Sequence, residues 1–204
     1  MGKDNKRKLV SEAYEINYDV KNLKKKLKND EPIILEGVIQ RANAKNQNNR
    51  IYTKEVLDRE VQRYKETFIK ENRALGELDH PDREVVEYKT ASHKILDLWW
   101  EGDDLMGKIK ILSGEFFPCA NILRGCLKDN IPIGFSSRGY GSEQKIGADT
   151  FQVNDDYQLI CWDAVTNPST HGAFGGYLNE NTANMSTDRR LKMQINNTIS
   201  NFLS

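Results

Sequence analysis

The chain has 204 residues, 30 Lys/Arg against 30 Asp/Glu, and 38% hydrophobic residues. Its mean hydropathy is -0.70. That length suits one domain able to bury a core, and no run approaches the roughly 18 apolar residues a membrane span needs. The first eight residues are charged, with no apolar stretch behind them, which is unlike a secretory signal.

The zero net charge hides an asymmetry. Residues 1–31 carry +3, residues 181–204 carry +2, and the body between them carries -5. Basic arms around an acidic body suggest protein docking, loose nucleic-acid contact, or solvated tails. The three cysteines, Cys119, Cys126 and Cys161, are too few for a disulfide framework and lack a CxxC. They are expected as buried thiols in a reducing compartment.

In chain order, residues 1–31 read as a basic N-terminal arm, in which Val20, Leu23 and Leu27 fall at helical spacing. A compact domain is expected to begin at Pro32, and Ile33 to Ile39 predicts a buried strand. A polar turn at Asn46 to Asn49 follows. Thr53 caps a helix with Val56, Leu57, Val61, Tyr64 and Phe68 on one face. Arg73 to Leu78 returns as an extended segment ending at His80-Pro81, where the proline disfavours right-handed helical geometry.

Strands from about Lys94 to Trp100 and Leu105 to Leu112 flank Gly102-Asp103-Asp104 and predict a hairpin. Pro118 opens a helix containing Ile122, Leu123 and Leu127. A strand from Ile131 ends in the glycine-punctuated run Gly134 to Gly141, and Tyr157 to Val165 predicts another strand. From about residue 179 the chain is rich in Asn, Ser and Thr and reads as a polar tail. Domain boundaries at 1–31, 32–178 and 179–204 follow. The fold class expected is α+β, with many short strands in a closed or nearly closed β-barrel surrounded by a few helices.

Nucleophilic hydrolysis needs a hydroxyl or thiol, a base within hydrogen-bond reach, and a group that orients the base. The base is most often histidine. Three are present: His80, His93 and His171. His80 stands at a predicted strand end between Asp79 and Pro81, and each of the three has a surface or core role as its ordinary alternative. Ser136 and Ser137 lie in Gly134-Phe135-Ser136-Ser137-Arg138-Gly139, where glycines let backbone N–H groups approach a carbonyl. A plain strand-edge turn explains that run equally. Asp163 is a lone acid in an apolar strand, and a buried carboxylate needs a partner. No HExxH, no clustered metal-ligand spacing and no phosphate-cradling loop occurs.

Four blocks carry a resemblance: Asn49 to Lys54, Ala74 to Pro81, Gly134 to Gly139, and Trp162 to Val165 leading to Pro168-Ser169. In this order they resemble the prohead core proteases of T-even-type tailed phages, from about Ile33 to Ser169. The lysine-rich first 30 residues fall outside the resemblance. That family is similar in fold to herpesvirus assemblins, which are β-barrel serine proteases. The resemblance implies a serine endopeptidase that digests phage scaffold and shell proteins inside the assembling prohead, in the host cytoplasm. It implies cleavage after glutamate with an aliphatic residue two places before it. By motif, His80 is the base, Ser136 the nucleophile and Asp163 the third member, with His171 as its rival. Arg138 and Gly139 are implied at the oxyanion.

No cofactor or metal is implied. The expected partners are scaffold, core and capsid shell proteins, with a homo-oligomer compatible, and neither membrane nor nucleic acid is expected. Leu178-Asn179-Glu180 fits the cleavage rule and marks Glu180 as a self-cleavage site. The alternative function is a non-catalytic scaffold or structural protein that retains the protease fold.

Overall fold

The computed structural model describes residues 8–15, 20–129, 131 and 133–166. The apolar run after Pro32 forms β2 (Ile33–Arg41), which pairs antiparallel with β6 (Asp104–Ile111). β6 pairs in turn with β5 (Ala91–Glu101), across the two-residue turn Gly102-Asp103. Gly102 has φ +65°, a conformation glycine adopts without steric cost. The short β4 (Leu75–Glu77) completes this sheet against β5, in the order β2-β6-β5-β4.

The helix predicted after Thr53 is α2 (Lys54–Tyr64), and the Thr53 hydroxyl accepts from the Val56 N–H at 3.3 Å. One turn of π-helix, Lys65–Ile69, extends it. A helix of this length is marginal alone. It is held by burying Val56, Leu57, Val61 and Tyr64, at about 1.5–3 kcal/mol for each fully buried large apolar side chain. Helix α3 (Pro118–Lys128) buries Leu123 and Leu127 but leaves Ile122 exposed. Cys161 is buried, whereas Cys119 and Cys126 are half-buried.

The second sheet has the order β1-β7-β10, built from β1 (Lys8–Glu15), β7 (Gly134–Gly141) and β10 (Gln158–Val165). The glycine-punctuated run is therefore its central strand and not a turn at a strand edge. β1 was not legible in a segment read as an appendage. It is an edge strand held by backbone pairing, a position that tolerates Lys and Glu. Helix α1 (Val20–Lys28) buries Leu23 completely, and Asp30 just beyond it pairs with Arg124 of α3 at 2.8 Å. A third, small sheet joins β3 (Arg50–Ile51), β8 (Glu143–Gly147) and β9 (Thr150–Val153).

The α+β class is as expected, but among the described residues the ladders form three sheets and not one continuous closed ladder. The two larger sheets share a core that includes Leu35, Ile39, Ile95, Ile109, Phe135 and Trp162. They also meet at the parallel bridge between Leu78 and Ala164, where the Asp79 N–H donates to the Ala164 carbonyl at 2.8 Å. That junction positions the site described next.

Candidate active site

Three segments far apart in sequence converge at this junction. The β7–β10 register sets Ser136 directly opposite Asp163. β4 delivers the chain to His80, one residue past the bridged turn. Both Asp79 and His80 have positive φ, +64° and +53°. Two consecutive non-glycine residues in this region cost free energy and persist only where their surroundings over-determine them.

The imidazole of His80 bridges the two strands. Its Nδ1–H donates to Asp163 Oδ2 at 2.7 Å, and its Nε2 accepts from Ser136 Oγ at 2.8 Å. These are the nucleophile–base and base–orienter contacts that nucleophilic hydrolysis requires. Ser136 is 2% exposed, Asp163 fully buried, and the His80 side chain 18% exposed. The strand alternation turns Ser137 the other way. Its hydroxyl is buried and has no hydrogen-bond partner among the described residues.

Asp163 is held as a carboxylate. Burial alone would raise its pKa, but the His80 hydrogen bond and the Arg138 guanidinium outweigh burial and bring it down to about 2. Oδ2 accepts from Arg138 Nε at 2.7 Å, and Oδ1 from the Glu77 N–H at 3.0 Å. The Cys161 thiol donates to Oδ1 at 3.2 Å. Burial and the nearby Asp163 charge push that thiol well above its ordinary range, so it stays protonated.

Arg138, expected at the oxyanion, is committed elsewhere. It is fully buried and donates to Asp163, to Glu77 Oε2, and to the carbonyls of Pro81 (3.1 Å) and Arg83 (2.7 Å). Its guanidinium therefore lies behind Asp163, with its donors already used. Gly139, expected beside it, has a packing reason to be glycine. A side chain there would begin 2.6 Å from the Tyr157 ring and from the Gln158 carbonyl. His171, the rival third member, and Glu180, the expected self-cleavage residue, lie outside the described residues.

Sequence reasoning did not single out Glu77. It is fully buried, and its Oε1 accepts from Arg83, from Thr90 Oγ1 at 2.5 Å and from the Glu87 N–H at 3.0 Å. The available signal was its position two residues before Asp79, a charged residue inside an otherwise apolar strand segment. His93, read as lying before a strand, is inside β5 and fully buried.

A family described as prohead core protein serine protease matches residues 10–182. The chain is similar to the prohead core protein protease of Enterobacteria phage T4, at 34% identity over 143 residues, 70% of this chain and 67% of that protein. It is similar in structure to the bacteriophage T4 capsid assembly protease. That likeness has a TM-score of 0.69 and 26% identity, and covers 80% of this chain and all of the other.

Proposed function

The chain belongs to the prohead core protein serine protease family, and on that premise we propose that it is a serine endopeptidase which cleaves phage scaffold and prohead shell proteins after glutamate during capsid maturation. The observation that carries the reading is the unbroken chain Ser136 Oγ–His80–Asp163, with links of 2.8 and 2.7 Å.

Mechanism follows from those links. His80 Nε2 takes the Ser136 proton as Oγ attacks the scissile carbonyl carbon. Asp163 keeps the Nδ1–H tautomer in place and stabilises the imidazolium that forms. The tetrahedral intermediate collapses as His80 hands the proton to the leaving amine. Water, deprotonated by His80, then hydrolyses the acyl-enzyme and releases the new carboxyl terminus. Arg138 has no donor left for the developing oxyanion, which needs hydrogen-bond donors from elsewhere.

The fold that accompanies this reading is a nearly closed barrel of the two larger sheets. Its support is the Leu78–Ala164 bridge on one side and the approach of β1 to β2 on the other. The protease unit proposed for residues 32–178 takes β1 with it as an edge strand. Its partners are the scaffold, core and shell proteins of the prohead interior, where it acts.

The test is covalent labelling. A fluorophosphonate should modify the purified protein once, at the peptide carrying Ser136, and abolish cleavage of a peptide with glutamate before the scissile bond. Labelling elsewhere, or full cleavage after labelling, would overturn the assignment.

A further inference from the structure

Behind the three residues just described lies a set of buried charges that a simple triad does not need. Arg138 stands between two carboxylates, Asp163 and Glu77, all three fully buried. Arg83, 28% exposed, closes the row on the far side of Glu77. The order is Asp163, Arg138, Glu77, Arg83, with alternating sign.

Its consequence for His80 is electrostatic. An arginine on Asp163 offsets the negative charge that would stabilise an imidazolium. Glu77 offsets Arg138 in turn and returns a net negative charge to the pair facing His80. The other groups around the imidazole do not supply it. His93 of β5 is held neutral, its pKa lowered by burial to about 4. Cys161 of β10 and Cys119 of α3 have thiols pushed upward by burial. Asp79 and Asp82 are both exposed on the histidine's own loop, and Glu87 pairs with Lys89 at 2.6 Å. Solvent screens charges so placed more strongly than buried ones.

Glu77 is also mechanical. The loop from Asp79 to Thr90 carries His80 in a costly backbone conformation. Glu77 grips its far end through Arg83, Thr90 and the Glu87 N–H. Arg138, which Glu77 holds, grips its near end through the carbonyls of Pro81 and Arg83.

We infer that Glu77 is a positioning residue for the hydrolytic reaction: it fixes the His80 loop and balances Arg138, so that Asp163 acts on His80 as an uncompensated charge. The inference rests on the protease reading above. It makes a prediction of opposite signs. Glu77→Gln leaves Arg138 unbalanced and disfavours the imidazolium. Arg83→Gln leaves Glu77 less compensated and favours it.

The experiment follows the rate of fluorophosphonate labelling of the full chain across pH 5 to 9, with thermal unfolding as the check on folding. Glu77→Gln should label roughly 10–100-fold more slowly, by analogy with the loss of outer-shell partners that orient metal-bound histidines. Its acid limb should move to lower pH by about one unit, as expected for one charge at medium range in a protein interior. The acid limb of Arg83→Gln should move to higher pH. Glu77→Asp should restore the limb even where the rate stays low. A structural role alone would lower the unfolding temperature and the rate with no movement of either limb, and that result overturns the proposal. Should Glu77→Gln fail to fold, the partly exposed Arg83→Gln decides, and an unmoved limb there counts against the inference. Should the unsubstituted protein not label at Ser136, the protease reading fails instead. The NMR titration of the His80 imidazole, which needs no catalysis, then decides for Glu77: coincident curves in the parent, Glu77→Gln and Arg83→Gln proteins overturn it.

Discussion

His93 donates its Nε2 proton to the Trp162 carbonyl oxygen at 2.9 Å, tying β5 to β10 one residue before Asp163. Its Nδ1 accepts from the Ser92 hydroxyl at 2.8 Å. Gly76 makes this approach possible, because a side chain there would overlap both the imidazole and the Trp162 carbonyl. His93 is thus a neutral, satisfied core histidine that steadies the strand bearing Asp163, and it takes no part in the chemistry.

Acid stability should show two windows. The His93 pKa is lowered by burial from 6.5 to about 4. The unfolded chain therefore binds the proton more readily. The associated stability is complete above about pH 6.5 and is lost as pH falls through 4. This amounts to on the order of 3 kcal/mol. Asp163, lowered from 3.8 to about 2, contributes stability present above about pH 4 and lost as pH falls through 2. Urea unfolding at a series of pH values should show stability declining between pH 6.5 and 4. In His93→Gln the protein should be weaker at pH 7, and this decline should flatten.

The two adjacent serines should separate cleanly. Ser136→Ala should lower kcat by about a millionfold, the typical cost of losing a triad nucleophile. Ser137→Ala removes a buried hydroxyl with no partner among the described residues. It should retain most activity and equal or slightly higher stability, since an unpaired buried polar group costs free energy. Peptide hydrolysis and thermal melts on both variants check this, and comparable loss of activity in the two would remove the basis for choosing Ser136.

Asp163→Asn should lower the rate by roughly ten-thousandfold, because an amide favours the wrong imidazole tautomer. The structure adds a second effect. Asp163 also holds Arg138 and the Glu77 N–H. The variant should therefore lose stability as well, by about 3–5 kcal/mol if the buried arginine finds no new partner. His171→Ala should cost far less in both measurements. The reverse ranking in rate would point to a second histidine as the orienting group.

What the sequence made legible was local. Thr53, the Pro118 helix start, the Gly102-Asp103 turn and the apolar run from Ile33 each declare themselves within a few residues, and each stands in the structure as read. Ser136, His80 and Asp163 came from short blocks whose meaning depended on a family resemblance. Periodicity carried no sign that they would meet. The misreadings share one cause, long-range pairing. β1 is defined by its register against β7, and β8 is almost wholly exposed, so neither has an apolar pattern to reveal it. Arg138 looked like a substrate contact because nothing nearby in sequence shows that Glu77 and Asp163 converge on it.

The last prediction is self-cleavage after Glu180, which fits the aliphatic-x-glutamate rule with Leu178. Sites that fit the same rule inside the fold can be weighed against it. Glu77 follows Leu75 but lies in β4, fully buried, with its carboxylate held by Arg138 and Arg83. Glu36 follows Ile34 within β2, where the backbone is tied into the ladder with β6. A peptide bond must leave such pairing to enter an active site, and that requires partial unfolding. Glu71 follows Ile69 in an exposed turn after the π-helix, and Glu87 follows Val85 in the exposed loop before β5, so these two are the sharper competitors within the described residues. Position relative to the fold should then decide, with cleavage favouring chain beyond β10, the last strand among the described residues. Incubating the purified protein should release a fragment beginning at Asn181, and Ser136→Ala should stay whole. Intact-mass spectrometry distinguishes this fragment from one beginning at Asn72. First cleavage at Asn72, Tyr88, Gly37 or Leu78, or an active protease that keeps all 204 residues while digesting scaffold, would show that the rule or the accessibility argument does not hold for this chain.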